Sequence, residues 1–112
     1  MEKTVHGSAE LRAPQLSERQ RKHLRGLAHA LKPVIRVGAA GVTAGVVAET
    51  ARALADHELI KVKAAAADRA ARDELFRSLA RVTGSALVQR IGNVAVLYRA
   101  HAELPRILIP DA

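Results

Sequence analysis

Apolar residues recur along the chain at two different spacings, and the changes between these spacings predict alternating helices and strands. Ser17 with Gln20 three residues later has the arrangement of a capping box, and apolar residues follow at helical spacing as far as Leu31. This first helix should end before Pro33, because the residue before a proline disfavours the helical conformation. A short, nearly continuous apolar strand is predicted from Pro33 to Val37, and this pattern suggests burial on both faces or coverage by helices.

The same change of spacing predicts a second helix and a second strand. Thr43 can cap a helix that runs to about His57. The stretch from Leu59 to Ala64 alternates, which predicts a strand with Lys61 and Lys63 on the face opposite its buried residues. These two lysines either extend a basic surface or only discourage aggregation of the sheet.

One more helix and a hairpin are predicted in the last part of the chain. Asp68 can cap a helix that ends at Gly84, a position suited to a C-terminal glycine. The predicted apolar stripe of this helix consists of Ala71, Leu75, Leu79 and Val82, with Phe76 at its margin. Strands are predicted over residues 86–91 and 94–99, and the leading glycine of the Gly92-Asn93 connection suits a type II′ turn.

The order α-β-α-β-α-β-β predicts an α/β fold of two layers with a mixed four-stranded sheet. Under the rule for crossover connections, the first three strands run parallel and the hairpin makes the last one antiparallel. Residues 1–15 lack periodicity and are predicted to be a mobile tail. Residues 16–104 then form one domain and residues 105–112 a C-terminal tail. The apolar stretch from Leu104 to Pro110 can either lie along the domain or meet a partner.

The connection between the first strand and the second helix contains the sequence Gly38-Ala39-Ala40-Gly41. Two glycines three residues apart let the backbone turn tightly and come close to a ligand. The free N–H groups of a helix capped by Thr43 would face that ligand, and a phosphate suits such a position. The alternative is that the glycines only turn a corner between strand and helix.

Charge is concentrated next to this loop. The chain has a formal net charge of +7. From Ser17 to Gly41 it carries one acidic residue, Glu18, against six basic ones: Arg19, Arg21, Lys22, Arg25, Lys32 and Arg36. A basic approach to a glycine loop at a helix start is typical of proteins that bind nucleic-acid backbone, and an anionic membrane surface is the rival partner.

Helical spacing places several of these cations on one flank of the first helix. They are Arg21, Lys22, Arg25 and His29, and Lys32 joins them if the helix reaches it. This basic flank leads toward the glycine loop. The alternative interpretation is an ordinary solvated helix face.

Other classes of function find little support in the sequence. The chain of 112 residues has no cysteine, and its five histidines lack the spacing of a helical zinc site, so no metal or other cofactor is expected. No nucleophile elbow or nucleotide-hydrolysing phosphate loop is present, and Asp56-His57-Glu58 is interpreted as a solvated turn. With Phe76 and Tyr98 as the only large rings, stacking of bases on exposed aromatic residues is not expected. The chain lacks an apolar signal or membrane segment, which predicts a cytoplasmic protein.

Four motifs in order resemble a known family. They lie at residues 20–29, at 31–34 leading into the loop at 38–43, at 57–63, and at 91–93 before 96–99. From about Leu16 to Leu104 the chain is similar to the bacterial YhbY proteins, which are single copies of the chloroplast RNA splicing and ribosome maturation (CRM) domain. Ala39 and Ala40 depart from many relatives, where polar or basic residues are frequent.

The resemblance implies a fold like that of the C-terminal domain of translation initiation factor three. It also implies RNA binding through the G-x-x-G loop and nearby basic residues, and association with precursors of the large ribosomal subunit. Related plant domains assist intron splicing. The predicted RNA-binding residues are Gly38, Ala39, Ala40, Gly41, Thr43, Arg21, Lys22, Arg25, His29, Lys32, Arg36, Lys61 and Lys63.

The leading hypothesis is thus a monomeric RNA-binding protein that assists assembly of the large ribosomal subunit without catalytic turnover. No membrane and no small-molecule substrate are expected as partners. The alternative is a protein-interaction adaptor whose basic face docks on an acidic partner. Catalysis is a weak third hypothesis.

Overall fold

The computed structural model describes residues 13–65 and 68–112, which form helices and strands in the predicted order. The elements are α1 Glu18–Ala28, β1 Pro33–Val37, α2 Ala44–His57, β2 Leu59–Ala64, α3 Arg69–Thr83, β3 Ala86–Ile91 and β4 Val94–Tyr98. Most of the predicted tail over residues 1–15 lies outside the described residues.

Helix α1 begins at the predicted capping box. The Gln20 N–H donates to Ser17 Oγ at 3.1 Å, and the Ser17 N–H donates to Gln20 Oε1 at 2.9 Å. These two bonds satisfy backbone donors that the first turn of a helix leaves free. The helix ends at Ala28 with His29 as its C-cap, so Lys32 lies in the connection to β1 and not on the helix.

The other two helices also begin at the predicted caps. Thr43 Oγ1 accepts from the Val46 N–H at 3.2 Å at the start of α2, and Asp68 Oδ1 accepts from the Ala71 N–H at 2.8 Å at the start of α3. Helix α3 ends at Gly84 in the left-handed conformation, with φ of 65°. The local sequence therefore determines where these helices start and stop.

The strands form one mixed sheet in the order β1-β2-β4-β3. Strand β1 pairs with β2 in parallel, and β4 pairs with β2 and with β3 in antiparallel. The first three strands thus run in one direction and β4 in the other, as predicted. The hairpin folds back so that β4, and not β3, lies beside β2. Gly92 begins the hairpin turn with φ of 59°.

Helices cover both faces of the sheet, which corrects the two-layer arrangement expected from the sequence. On one face, α2 and α3 contribute Leu54, Phe76, Leu79 and Ala80 to a core with Ile35, Val37, Ile60, Val62, Ala64, Ala95 and Leu97. On the other face, α1 contributes Leu24 and Ala28 to a second core with Leu59, Val88, Val96 and Tyr98. We refer to this second side as the α1 face.

Strand β1 is buried on one face only, so the prediction of burial on both faces is wrong, while its alternative, coverage by helices, holds on the α2 face. Ile35 and Val37 are buried against the core with α2, whereas Val34 is 53 % exposed and Arg36 is also exposed. The reason is that β1 lies at the edge of the sheet, beyond the area that α1 covers. The apolar run of this strand therefore leaves one side chain in contact with solvent.

Helix α3 buries a stripe that overlaps the predicted one only in part, since Leu79 is buried and Leu75 packs against the core as predicted. Phe76 is fully buried and not marginal, while Val82 is 40 % exposed and Ala71 is also exposed. The buried positions are Phe76, Leu79, Ala80 and Thr83, which also follow helical spacing. Burial of Thr83 is possible because its hydroxyl donates to the Leu79 carbonyl at 2.8 Å.

The C-terminal segment lies along the domain, which decides between the two alternatives for the stretch from Leu104 to Pro110. Ile107 and Ile109 pack against the core of the α1 face. Helix α1 holds the segment as well, since Gln20 Nε2 donates to the Pro110 carbonyl at 2.9 Å. The domain boundary at residue 104 stays a prediction.

Glu58 fastens this segment, so the interpretation of Asp56-His57-Glu58 as a solvated turn is wrong for Glu58. The Glu58 side chain is fully buried. Its carboxylate accepts from the backbone N–H groups of His101 at 2.6 Å, Arg106 at 2.9 Å and Ile107 at 2.8 Å. Asp56 and His57 are exposed, as expected of a turn.

Candidate nucleic-acid interface

The G-x-x-G loop forms an exposed turn at the end of β1. The Gly41 N–H donates to the Gly38 carbonyl at 3.0 Å, which makes Ala39 and Ala40 the two exposed central residues of the turn. The Thr43 N–H then donates to the Gly41 carbonyl at 3.0 Å, and α2 begins at the next residue. Hydrogen bonds between backbone groups of the loop itself therefore define its shape.

The two glycines of the loop have different reasons to be glycine. Gly41 has φ of 77°, a conformation that a residue with a side chain rarely adopts. Gly38 has no positive φ, and a Cβ atom placed there would meet nothing within 4 Å. The requirements of the fold therefore explain Gly41 and leave Gly38 unexplained.

The helix start behind the loop is an open site for an anion. No described residue accepts a hydrogen bond from the N–H groups of Ala39, Ala40, Ala44 or Gly45. The first turn of α2 also contains no acidic residue, in contrast with α1, where Glu18 occupies the first turn. The partial positive charge of the α2 N-terminus is thus not balanced by a carboxylate in its first turn.

Two basic side chains lie beside the loop. Arg36 and Lys63 are register partners on adjacent parallel strands, so their side chains project next to each other on the α1 face. Together with Gly38 and Asn93 they line a cavity of about 310 Å³. No described residue forms a hydrogen bond or ion pair with the side chain of Arg36 or Lys63.

A second, larger groove lies on the α1 face. It has a volume of about 810 Å³ and lies between the end of α1 and the sheet. Its basic residues are Arg25, His29 and Lys61, and no Asp or Glu lines it. Arg25 forms an ion pair with Glu18 at 3.6 Å, but Glu18 is 82 % exposed, so water screens this pair and its strength is low.

We define the basic surface as the G-x-x-G loop together with Arg25, His29, Arg36, Lys61 and Lys63. The structure therefore brings together most of the predicted RNA-binding residues, including Thr43 as the cap behind the loop. Lys61 and Lys63 are half-buried on the α1 face, as the alternation of β2 predicts. These lysines lie on a central strand and not at a sheet edge.

Three predicted residues lie apart from the basic surface. The Arg21 guanidinium donates to the carbonyls of Leu87 at 2.7 Å and Val88 at 3.2 Å, so this cation ties α1 to β3. Lys22 is exposed in a different depression, next to Arg19 and His23. Lys32 borders an apolar depression with Leu27, Leu31 and Val34.

Sequence analysis did not identify Asn93 and Gln89 as residues of the candidate interface. Asn93 lies beside the loop because β4 pairs with β2 and thus starts where β2 ends. Its carbonyl accepts from the Ala64 N–H at 2.9 Å, which fixes the hairpin turn next to that strand. Gln89 lines the larger groove. Neither position carries a signal in the sequence, since both depend on the order of the strands.

Burial and hydrogen bonding shift the pKa values of two groups, Glu58 and Tyr98. Burial favours a higher pKa for Glu58, but hydrogen bonds from the N–H groups of His101, Ile107 and Arg106 and the charge of Arg106 hold this pKa below its ordinary value. Burial and the nearby Glu58 charge raise the pKa of Tyr98.

Among the residues in 13–65 and 68–112, no three or more His, Asp or Glu side chains form a possible metal site. No described helix is long and apolar enough to span a bilayer.

Comparison with known protein families identifies the relatives of this chain. The family model described as the CRS1 / YhbY (CRM) domain matches residues 16–99. The chain belongs to the CRM domain family. The resemblance inferred from the four sequence motifs is therefore confirmed.

Proteins similar to this CRM-domain chain include three from bacteria. One from Haemophilus influenzae, named RNA-binding protein, is 48 % identical over 95 residues, covering 81 % of this chain and 96 % of its own length. A probable RNA-binding protein of Pseudomonas aeruginosa is 49 % identical over 84 residues, or 75 % of this chain and 81 % of its own. The probable RNA-binding protein YqeI of Bacillus subtilis is 36 % identical over 95 residues, covering 85 % of this chain and 99 % of its own length.

A solved structure also resembles this chain. The solution structure of the hypothetical protein SAV1595 from Staphylococcus aureus has a TM-score of 0.76 and 33 % sequence identity. The match covers 86 % of this chain and all of the other. This CRM-domain protein therefore shares the complete fold of that smaller chain.

Proposed function

We propose that this CRM-domain protein binds RNA through its basic surface, with a backbone phosphate seated at the G-x-x-G loop. The observation that carries the proposal is the arrangement at the end of β1 and β2. The free side chains of Arg36 and Lys63 line a cavity with Gly38, and no carboxylate lines that cavity. The open loop that begins at Gly38 leads to the uncompensated start of α2. This combination suits a phosphate better than it suits a neutral ligand.

Each part of the basic surface has a distinct role in this proposal. Backbone N–H groups of the loop and of the first turn of α2 donate to the oxygens of one phosphate. Arg36 and Lys63 neutralise that phosphate or its neighbour, and Lys61, Arg25 and His29 attract the strand farther along the α1 face. Contacts of this kind position the RNA backbone and do not distinguish base sequences.

The names of the three bacterial relatives support RNA as the partner, and the resemblance to YhbY proteins supports a more specific role. We propose that the RNA is ribosomal and that the protein assists assembly of the large ribosomal subunit, acting as a monomer in the cytoplasm. Binding that holds or shapes the RNA is sufficient for this role. No catalytic step is part of the proposal.

The decisive experiment places negative charge in the loop. Replacing Ala39 and Ala40 together by aspartate should weaken binding to a ribosomal RNA fragment by about tenfold or more. Two unit charges about 4 Å apart repel by about 1 kcal/mol in water and about 4 kcal/mol at an effective dielectric constant near 20, and about 1.4 kcal/mol corresponds to tenfold. Fluorescence anisotropy titrations measure the affinity, and thermal melts show whether the variant is folded.

The matched control is Ala39→Ser with Ala40→Ser, which keeps the loop small and neutral. This variant should bind RNA almost as the wild type does. Both positions are exposed, so neither pair of substitutions should reduce stability by much. A folded double aspartate variant with wild-type affinity would show that Gly38 to Gly41 is only a corner in the chain.

A further inference from the structure

The larger groove on the α1 face contains a glycine that the fold does not explain. Gly26 lies inside α1, where glycine is less favourable than alanine by roughly 1 kcal/mol. It has no positive φ, it is exposed, and a Cβ atom placed there would meet nothing within 4 Å. No contact within the described residues therefore compensates for the weaker helix.

The sheet opposite Gly26 contains a second irregular feature. The register of β3 shifts between Leu87 and Gln89, and Gln89 becomes the direct partner of Val96. Val96 belongs to the core of the α1 face, so the bulge turns Gln89 toward that face as well. A regular strand would place Val88 and Gln89 on opposite faces. The bulge thus adds a side-chain amide to the groove without removing Val88 from the core.

The lining of the groove combines an apolar floor with polar groups at its sides. Val94 and Val96 form part of the floor, Arg25 and Lys61 add positive charge, and His29 adds a polar ring. The Gln89 amide can both donate and accept, and no described residue bonds to it. The volume of about 810 Å³ is within the range of small-molecule pockets, which is ample for a nucleobase.

The groove lies next to the phosphate site proposed above, because neighbouring residues of β2 and of the hairpin line the two cavities. Lys61 lines the groove and Lys63 lines the cavity at the loop, two residues apart on the same face of β2. This separation is about 6.6 Å along a strand, similar to the step between neighbouring phosphates. An RNA strand seated at the loop can therefore continue over β2 toward α1.

From these observations we infer that the groove between α1 and the sheet binds one unpaired nucleotide of the RNA, a proposal that rests on the proposed function. The base lies on the Val94 and Val96 side chains and bonds to the Gln89 amide. The sugar-phosphate backbone passes over Gly26, where a side chain would stand in its way. The groove would thereby distinguish one base from another, whereas the other contacts of the basic surface are made to the RNA backbone and do not depend on the base.

The first test uses Gly26→Ala in the full-length protein, with short fluorescent oligouridylate, oligoadenylate and oligocytidylate of equal length as probes. The variant should bind each probe at least about fivefold more weakly. The added methyl group would push against the sugar-phosphate backbone that packs over position 26, and such overpacking is unfavourable. Its Tm should rise by about 2 to 6 °C, because alanine favours the helix. Higher stability with weaker binding cannot result from a general loss of structure.

The second test removes the amide with Gln89→Leu, which keeps the size of the side chain. The ratio of affinities among the three probes should change by about fivefold, because loss of a hydrogen bond affects the bases unequally. Ala55→Gly on α2 is the control for helix stability. Ala55 is exposed on the opposite side of the sheet, so this variant should have a lower Tm and unchanged RNA binding.

Two results would overturn the inference. These are wild-type affinity in Gly26→Ala, or an unchanged ratio among the probes in Gln89→Leu. The double aspartate variant of the loop, measured with the same probes, separates this failure from a failure of the proposed function. If the loop variant loses affinity while both groove variants behave as wild type, only the nucleotide groove is wrong. If the loop variant also binds normally, the phosphate site is wrong as well.

Discussion

Glu58 shows how one residue connects helix α2, strand β2 and the C-terminal segment. Its φ of 66° lies in the region that favours glycine, which costs the backbone of a residue with a side chain about 1 kcal/mol or more. Three hydrogen bonds from backbone N–H groups to the buried carboxylate offset this unfavourable free energy. Glycine at this position would relax the backbone but would leave those donors without an acceptor.

The stability of the protein should therefore depend on ionisation of Glu58. Because the folded protein holds this pKa below its ordinary value of 4.5, the carboxylate stabilises the fold above that pH and loses its effect as the pH falls through the folded-state pKa. Glu58→Gln should lower the free energy of unfolding by about 1 to 3 kcal/mol at neutral pH, and by less in acid.

Urea unfolding of the wild type and Glu58→Gln across a pH series measures this difference. Glu49→Gln on the exposed side of α2 is the control, and it should unfold like the wild type. Parallel loss of stability in the wild type and Glu58→Gln as the pH falls would contradict the assignment to Glu58.

Among the elements, α1 bonds to the rest of the fold on one side and lines the larger groove on another. Arg21 bonds to two carbonyls of β3, and His23 Nε2 lies 2.9 Å from the Leu108 carbonyl of the C-terminal segment. Arg25 and His29 instead line the groove. The basic flank predicted from helical spacing is thus divided, because Arg21 bonds to β3 whereas Arg25 and His29 line the groove.

Arg21→Ala and Lys22→Ala should accordingly have different effects although the residues are neighbours. Loss of Arg21 leaves two half-buried carbonyls without their donor, which should cost about 1 to 3 kcal/mol of stability. Lys22 is exposed, and its loss should change stability by about 0.5 kcal/mol at most. Chemical denaturation compares the two variants, and equal stabilities would show that the bonds of Arg21 to β3 contribute nothing.

At the scale of the whole molecule, three cations without a partner lie together on the α1 face. Among the described residues, nothing forms a hydrogen bond or ion pair with the side chains of Arg36, Lys61 or Lys63. Some cations elsewhere are held by the protein itself, since Arg90 pairs with Asp73 on α3 and Arg99 donates to the Thr83 carbonyl at 2.7 Å, whereas others such as Lys22 and Arg81 are exposed. Attraction of a polyanion should therefore be strongest at the basic surface.

Removal of cations from that surface should reduce the salt dependence of RNA binding. Each phosphate contact contributes about −0.7 to −0.9 to the slope of log affinity against log salt concentration. Arg36→Gln with Lys63→Gln should make this slope less steep by about 1.5. Arg77→Gln with Arg81→Gln removes the same charge from exposed positions on α3 and serves as the matched control.

An equal change of slope in both double variants would show that net charge alone attracts the RNA. The adaptor alternative predicts a different result, since purified protein would then bind RNA weakly at every salt concentration. Under the adaptor alternative, the protein would still co-sediment with ribosomal particles on sucrose gradients. Loss of Arg36 and Lys63 would abolish this co-sedimentation if the acidic partner docks on the basic surface, and would leave it unchanged if the partner docks elsewhere.

The sequence by itself determined the order of the elements, the start of each helix and the α/β class of the fold, but not the end of α1 at Ala28. The Ser17 capping box, the Thr43 and Asp68 caps and Gly84 are local signals, because the groups that bond to each other are only a few residues apart. The G-x-x-G loop was recognisable for the same reason. Four short motifs in order were also sufficient to identify the CRM family.

Only the tertiary structure decided which face each residue occupies. The position of β4 between β2 and β3 places Asn93 beside the loop, and the bulge in β3 turns Gln89 into the groove. Helix α1 covers the face opposite α2 and α3, which buries Leu24 but leaves Val34 exposed. Glu58 becomes a buried anchor because residues more than 40 positions away donate to it. Such contacts join distant parts of the chain, so no local spacing in the sequence encodes them.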